Sequence, residues 1–182
     1  VVSSILSARA TGEGCDVDVS LFDVALHQHS YPAVWAMNER HPTVRMPAGA
    51  HPSLAPVQRV KTADGYGQLM CMNEKFWGEL CDLIGRPDLA DDPRFATLAD
   101  RARNLPALTE ALDVLFATEP TAHWSALFAG RVPFGPVNDL FQALDNPFVA
   151  EVGMRDVVDH PDRPQGLHML AAPLKIDGVR MP

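Results

Sequence analysis

The sequence predicts an α/β chain built around a β-hairpin that feeds a packed helix, and three observations carry that expectation. Val57 to Lys61 and Gly67 to Met72 are short extended runs joined by a turn at Asp64-Gly65. Behind them Phe76, Trp77, Leu80, Cys81 and Ile84 recur at helical spacing, with Asn73 placed to cap that helix and Gly85 to end it. Further on, Leu108, Leu112, Leu115 and Phe116 form a second helical stripe, with Pro106 early in its helix.

Composition sets the outer bounds. With 47% hydrophobic and 21% charged residues among 182, the chain is globular and has apolar material for one domain or two small ones. A net charge of −8 argues against nucleic acid as a partner, because phosphate backbones are held by a basic face and none is visible in the sequence. An anionic small ligand would have to be drawn by a local site rather than by the overall field. No apolar run reaches the length of a membrane-spanning helix. Cys15, Cys71 and Cys81 are too few and too scattered for a disulfide framework or a metal knuckle, which suits a reducing cytoplasm. The first residues already lie inside a helical pattern with no initiator Met, so the chain reads as a piece of a longer polypeptide.

Taken in order, Val1 to Arg9 reads as the last turns of a helix, with Val1, Val2, Ile5 and Leu6 on one side. After a turn at Thr11 to Gly14, the alternation of Val17, Val19 and Leu21 predicts a strand over Asp16 to Leu21. A helix from about Leu21 to Met37 follows, which Pro32 would kink or split. Asn38 to Pro56 is rich in proline and contains the small-residue run Ala48-Gly49-Ala50-His51, so it reads as a linker or long functional loop. Past the hairpin and its helix, Arg86 to Phe95 reads as an acidic, proline-marked loop, and Thr97 to Arg103 as a short helix with a charged outer face. Thr121 is expected to cap a helix carrying Trp124, Leu127 and Phe128 that ends at Gly130. Each proline in Arg131 to Val137 keeps its predecessor extended. Two short helices near Leu140 to Leu144 and Pro147 to Val152 precede a tail, Met154 to Met181, of irregular strands joined at Gly166 and Gly178.

Candidate chemistry is sparse. His27 and His29 form an H-x-H upstream of His41, but no cysteine pair or HExxH accompanies them, so polar positions on a helix outweigh a metal site. Asp16 and Asp18 would share one side of the predicted strand, yet they sit beside a glycine turn, where solvated carboxylates are common. His51 is the most interesting titratable group because it stands in the small-residue loop; a loop histidine before proline is usually a turn residue, and a contact with ligand or with a covering loop's base outweighs proton transfer. Cys71 and Cys81 fall on apolar faces and read as inert core thiols. No phosphate-cradling glycine motif and no nucleophile elbow is present.

Several stretches together resemble the family III CoA-transferases of the CaiB/BaiF type, which include formyl-CoA transferase and carnitine CoA-transferase. Ala8-Arg9-Ala10-Thr11-Gly12-Glu13-Gly14 running into Val17-Asp18-Val19-Ser20-Leu21 is similar to the family's T-G-x-G-Q-x-V-D-V-S-L, with Cys15 where glutamine is usual. Gly49-Ala50-His51-Pro52 with Ala55-Pro56, and Thr62 to Gly65, resemble its G-x-x-H-P-x-x-A-P and D-G pair, with Val57 in place of an aromatic. Asn73 to Gly85, Asp92-Pro93-Arg94-Phe95, Arg101 with Asn104, and Val132 to Val137 follow in family order and spacing.

The resemblance implies the end of a Rossmann-like large domain over 1–35, a linker and small-residue loop over 36–56, a small α+β domain over 57–146 and a return linker over 147–182. It implies a cytoplasmic, interlocked homodimer that takes an acyl-CoA and a carboxylic acid as partners and binds neither nucleic acid nor membrane. It implies CoA thioesters as substrates, with no permanently bound cofactor and no metal. The family's nucleophile is an aspartate expected N-terminal to Val1, so no catalytic residue is expected within this chain. Ala48, Gly49, Ala50 and His51 match the family's loop that covers substrate and CoA, although that loop is usually richer in glycine. An α-methylacyl-CoA racemase of the same fold is the alternative enzyme; its Asp-Gly-Gly-Ala-Pro loop differs from the Gly-Ala-His-Pro here. A non-catalytic interaction or structural piece is the alternative outside enzymology.

Overall fold

A computed structural model describes residues 1–180; Met181, where the predicted tail ends, lies outside the described residues. The chain divides into a unit of residues 1–45 and a unit beginning at Met46.

In the first unit, α1 (Val2–Thr11) ends where Gly12 turns left-handed at φ 79°. The alternation over Asp16 to Leu21 does not become a strand. An extended run becomes one only when a neighbour completes its ladder, and no described residue pairs with it. Ser20 instead caps α2 (Leu21–Gln28), its Oγ accepting from the N–H groups of Phe22 and Asp23. The predicted long helix is split, but at Ser30, whose φ is 47°, and not at Pro32. Pro32 falls in the first turn of α3 (Ser30–Glu39), where its missing N–H costs no helical bond. No residue of 1–45 is buried.

The second unit holds the core. Strands β1 (Val57–Lys61) and β2 (Tyr66–Met70) pair antiparallel, and β3 (Phe134–Pro136) adds to β2, giving the order β1-β2-β3. Gln58, Val60, Gly67 and Leu69 form the buried face of the hairpin. Asn73 Oδ1 accepts from Phe76 N–H to start α4 (Glu74–Leu83), whose Trp77, Leu80 and Cys81 are buried as predicted. The stretch read as a loop over Arg86 to Phe95 instead contains α5 (Pro87–Asp91), with Pro87 at its first position and Leu89 in the core. After it come α6 (Leu98–Arg103), α7 (Leu105–Phe116) and α8 (Thr121–Phe128). Helix α7 packs on β1 and α8 on β3. Phe116 lies at the centre of an aromatic cluster, its ring centroid 4.7 Å from Trp124, 5.8 Å from Phe128 and 5.9 Å from Phe134.

Three details correct the sequence reading. Thr121 does not cap α8. It is the helix's first residue, and Asp64 from the hairpin turn accepts both its N–H and its hydroxyl at 2.8 Å. The face of α6 is not wholly charged and solvent-facing, because Arg101 is completely buried. Gly166 is not a strand junction: it lies within β5 (Arg163–Leu170), which pairs with β4 (Arg155–His160), and a Cβ there would strike Val157. Gly178 does form a turn, with Asp177, between β6 (Lys175–Ile176) and β7 (Val179–Arg180). The two short helices are present as α9 (Leu140–Leu144) and α10 (Pro147–Glu151).

Gly67 is a packing requirement of the sheet. Its missing side chain leaves the space into which the Phe134 ring folds from the diagonal position on β3.

Candidate functional site

The candidate residues Ala48, Gly49, Ala50 and His51 lie in the segment that leads into β1. Pro47–Gly49 makes one tight turn, closed by Ala50 N–H donating to Pro47 C=O at 3.0 Å. Ala48 and Gly49 are both left-handed, at φ 53° and 62°. Glycine takes that conformation freely, whereas for Ala48 it costs about 1 kcal/mol. Gly49 is exposed, and nothing stands within 4 Å of where its Cβ would be. The candidate group is therefore divided: Gly49 is exposed at the turn, Ala48 is half-buried, and Ala50 is buried in the core.

Beyond the tip the backbone is tied down. His51 N–H donates to Val57 C=O at 2.9 Å, and the ring's Nδ1 accepts from the N–H groups of Ser53 and Leu54 at 3.2 and 3.1 Å. Ala55 and Pro56 are buried and joined by a cis peptide bond. Cys71 N–H donates to Pro56 C=O at 2.8 Å, attaching the segment to the strand that precedes α4.

Arg101, which sequence reasoning placed on a surface, is the centre of this support. Its Nε donates to Ala55 C=O at 2.8 Å and its Nη1 to Phe95 C=O at 3.0 Å. Nη1 also lies 2.8 Å from Glu74 Oε2, and the guanidinium sits 5.0 Å from the centroid of the Trp77 ring. The loop base, α4, α5–α6 connection and α6 thus meet at one cation. Burial works against the Glu74 carboxylate, but the Arg101 hydrogen bond, the Leu98 N–H and the guanidinium charge together hold its pKa below the ordinary value. A sequence signal existed. Leu98, Arg101 and Ala102 share one face of α6, so Arg101 falls on its apolar side instead of facing away from it.

The remaining candidates fall elsewhere. Asp16 and Asp18 are exposed and lie on no strand. His27 lines an open groove of about 920 Å³ between α2 and α3, with Leu26, Tyr31, Val34 and Met37. His41 packs edge-on to Trp35. Among the described residues no group of three His, Cys, Asp or Glu side chains is placed to hold a metal ion. Cys71 and Cys81 are buried, and burial pushes each thiol up to about 12, so neither carries thiolate near neutral pH. No helix among the described residues is long and apolar enough to cross a membrane.

This arrangement of a three-stranded sheet, its helices and the loop that enters it is shared with solved structures. Rv3272 from M. tuberculosis superposes with a TM-score of 0.82 at 26% identity, over 98% of this chain and 46% of that one. A CAIB/BAIF family protein from Brucella suis gives 0.79 at 29% identity, again over 98% of this chain and 46% of its own. The sequence model of CoA-transferase family III matches residues 1–182, and the chain belongs to that family. Among curated relatives, the acetyl-CoA:oxalate CoA-transferase of Acetobacter aceti is 33% identical over all of this chain and 45% of its own length. The mouse succinyl-CoA:glutarate CoA-transferase is 29% identical over 88% of this chain and 37% of its own. The chain spans less than half the length of these relatives.

Proposed function

We propose that the polypeptide containing this chain transfers coenzyme A between an acyl-CoA thioester and a carboxylic acid. The family match over residues 1–182 carries that reading, and the relatives named for acetyl-CoA with oxalate and succinyl-CoA with glutarate point to short acyl donors and dicarboxylate acceptors. In this reading residues 1–35 complete the large Rossmann-like domain, 57–146 form most of the small domain, and two cytoplasmic copies interlock.

The acyl group is held as a mixed anhydride on an aspartate outside this chain. A carboxylate suits the task because its anhydride keeps the acyl group activated while CoA leaves and returns. Such an intermediate is lost to water unless the site is closed. Ala48 to His51 supply the cover: small side chains at the tip let backbone approach the ligand, and the anchored residues behind it set where the tip can reach.

The test is thioester exchange by the full-length protein, with acetyl- and succinyl-CoA as donors and oxalate and glutarate as acceptors, followed by separation of the CoA esters. Formation of the acceptor's CoA ester supports the proposal. Exchange of the α-proton of a 2-methylacyl-CoA in deuterated water, without CoA transfer, would identify a racemase instead. The 182 residues alone are expected to give no turnover; turnover by them would overturn the placement of the reacting carboxylate.

A further inference from the structure

The turn beneath the loop tip is closed by a side chain, and the manner of closure restricts what that side chain can do. His51 Nδ1 accepts from the N–H groups of Ser53 and Leu54, with Ser53 Oγ 3.4 Å away. An acceptor at one residue with donors two and three residues on is the pattern an asparagine or aspartate makes when it opens a turn or caps a helix. A nitrogen that accepts backbone N–H bonds carries no proton, so the neutral imidazole is protonated at Nε2. A proton arriving at Nδ1 would displace both backbone donors.

The rest of residues 50–57 is held as firmly. His51 N–H reaches Val57 C=O, Arg101 Nε reaches Ala55 C=O, and Cys71 N–H reaches Pro56 C=O. Ala50, Ala55 and Pro56 are buried. The preceding turn differs: Pro47–Gly49 is closed by the Ala50 to Pro47 bond and carries two successive left-handed residues.

We propose that His51 is a positioning residue, whose Nδ1 acts as a backbone acceptor that fixes residues 50–57 as a pedestal beneath the Pro47–Gly49 turn. His51 therefore transfers no proton through Nδ1. This rests on the reading of Ala48 to His51 as the cover of the reacting site.

The experiment compares His51→Ala, His51→Gln and His51→Asn in the full-length enzyme. Asparagine places Oδ1 where Nδ1 stands and offers nothing at Nε2; glutamine offers a donor near Nε2 and no acceptor at the δ position. Alanine and glutamine are expected to lower kcat/KM about ten-fold, the size of a lost cap, and asparagine to recover it to within about three-fold of wild type. Amide hydrogen exchange is the second readout and needs no substrate. Ser53 and Leu54 should exchange faster in the alanine and glutamine variants and stay protected in the asparagine variant. Asparagine as impaired as alanine, or alanine without effect on either readout, would overturn the assignment. A wild-type enzyme that transfers no CoA would defeat the proposed function, while amide exchange would still decide whether His51 holds the turn.

Discussion

Residues 1–45 and residues 50–132 are of similar hydrophobic character and opposite fate. Every buried hydrophobic side chain of the described protein lies between Ala50 and Val132. Residues 1–45 bury none, although Val1, Val2, Ile5, Leu6, Leu21, Phe22, Leu26, Val34 and Met37 are all apolar and exposed. Helix α4 spaces its apolar residues so that Trp77, Leu80 and Cys81 are buried where it packs against α5 and α8, whereas α2 and α3 meet each other along an open groove. Amphipathic spacing therefore predicts a helix without predicting its cover. A core needs a second layer, and only the later segment brings its own. The apolar side chains exposed on α1, α2 and α3 have no cover among the described residues.

The comparison breaks or holds on paired substitutions in the 182-residue chain. The largest effect is expected at the aromatic cluster. Phe116→Ala should destabilise the sheet unit by about 3–5 kcal/mol, while Phe22→Ala, on an exposed face, should change stability by less than about 0.5 kcal/mol. Urea unfolding followed through the buried Trp77 and Trp124 measures both; equal losses would mean the two regions do not differ as described.

Next comes Arg101→Met, which removes the donor to Ala55 and Phe95 and leaves Glu74 without its cation. The expected cost is about 3 kcal/mol, against less than about 0.5 kcal/mol for Arg103→Ala, whose exposed pair with Asp100 is solvated. Gly67→Ala follows at about 1–3 kcal/mol, because its Cβ would occupy the space of the Phe134 ring. Gly67→Ala combined with Phe134→Leu should recover part of the loss.

The smallest effect is a pH dependence at Asp64. Thr121 N–H first, then the Thr121 hydroxyl, hold its pKa below the ordinary 3.8, with Thr62 adding and burial opposing. A depressed carboxylate contributes stability that is fully present above the unfolded value and is lost as pH falls through the lower folded value. Asp64→Asn should therefore be less stable than wild type near neutral pH, with the gap closing as the wild-type carboxylate is protonated. A gap that persists unchanged into strong acid would mean the charge contributes nothing.

Much of the second unit was legible because local and long-range signals agree there. Val57 to Lys61 is both extended by pattern and paired in the fold, and Asn73 and Gly85 bound α4 where capping chemistry places them. Three of the failures share one cause, a partner distant in sequence; the missed helix at Pro87–Asp91 and the break at Ser30 are local. Asp16 to Leu21 alternates but has no neighbour among the described residues to complete a ladder. Arg101 reads as solvent-facing until Ala55, 46 residues away, is seen to receive its Nε. At Thr121 the cap is a carboxylate 57 residues upstream. The candidate loop was read as a run of small residues, but its division into a turn exposed at Gly49 and an anchored base was not visible. The bonds that anchor the base come from Cys71 and Arg101.

The nested fit of Phe134 against Gly67 also bears on how such sequences diverge. A bulkier residue on the middle strand is acceptable only after the ring opposite has shrunk, and a shrunken ring leaves a hollow until the strand has filled it. The two positions are thus expected to drift as a coupled pair, with single changes purged and compensated doubles retained, a signature that comparison of many descendants would expose without any biochemical assay.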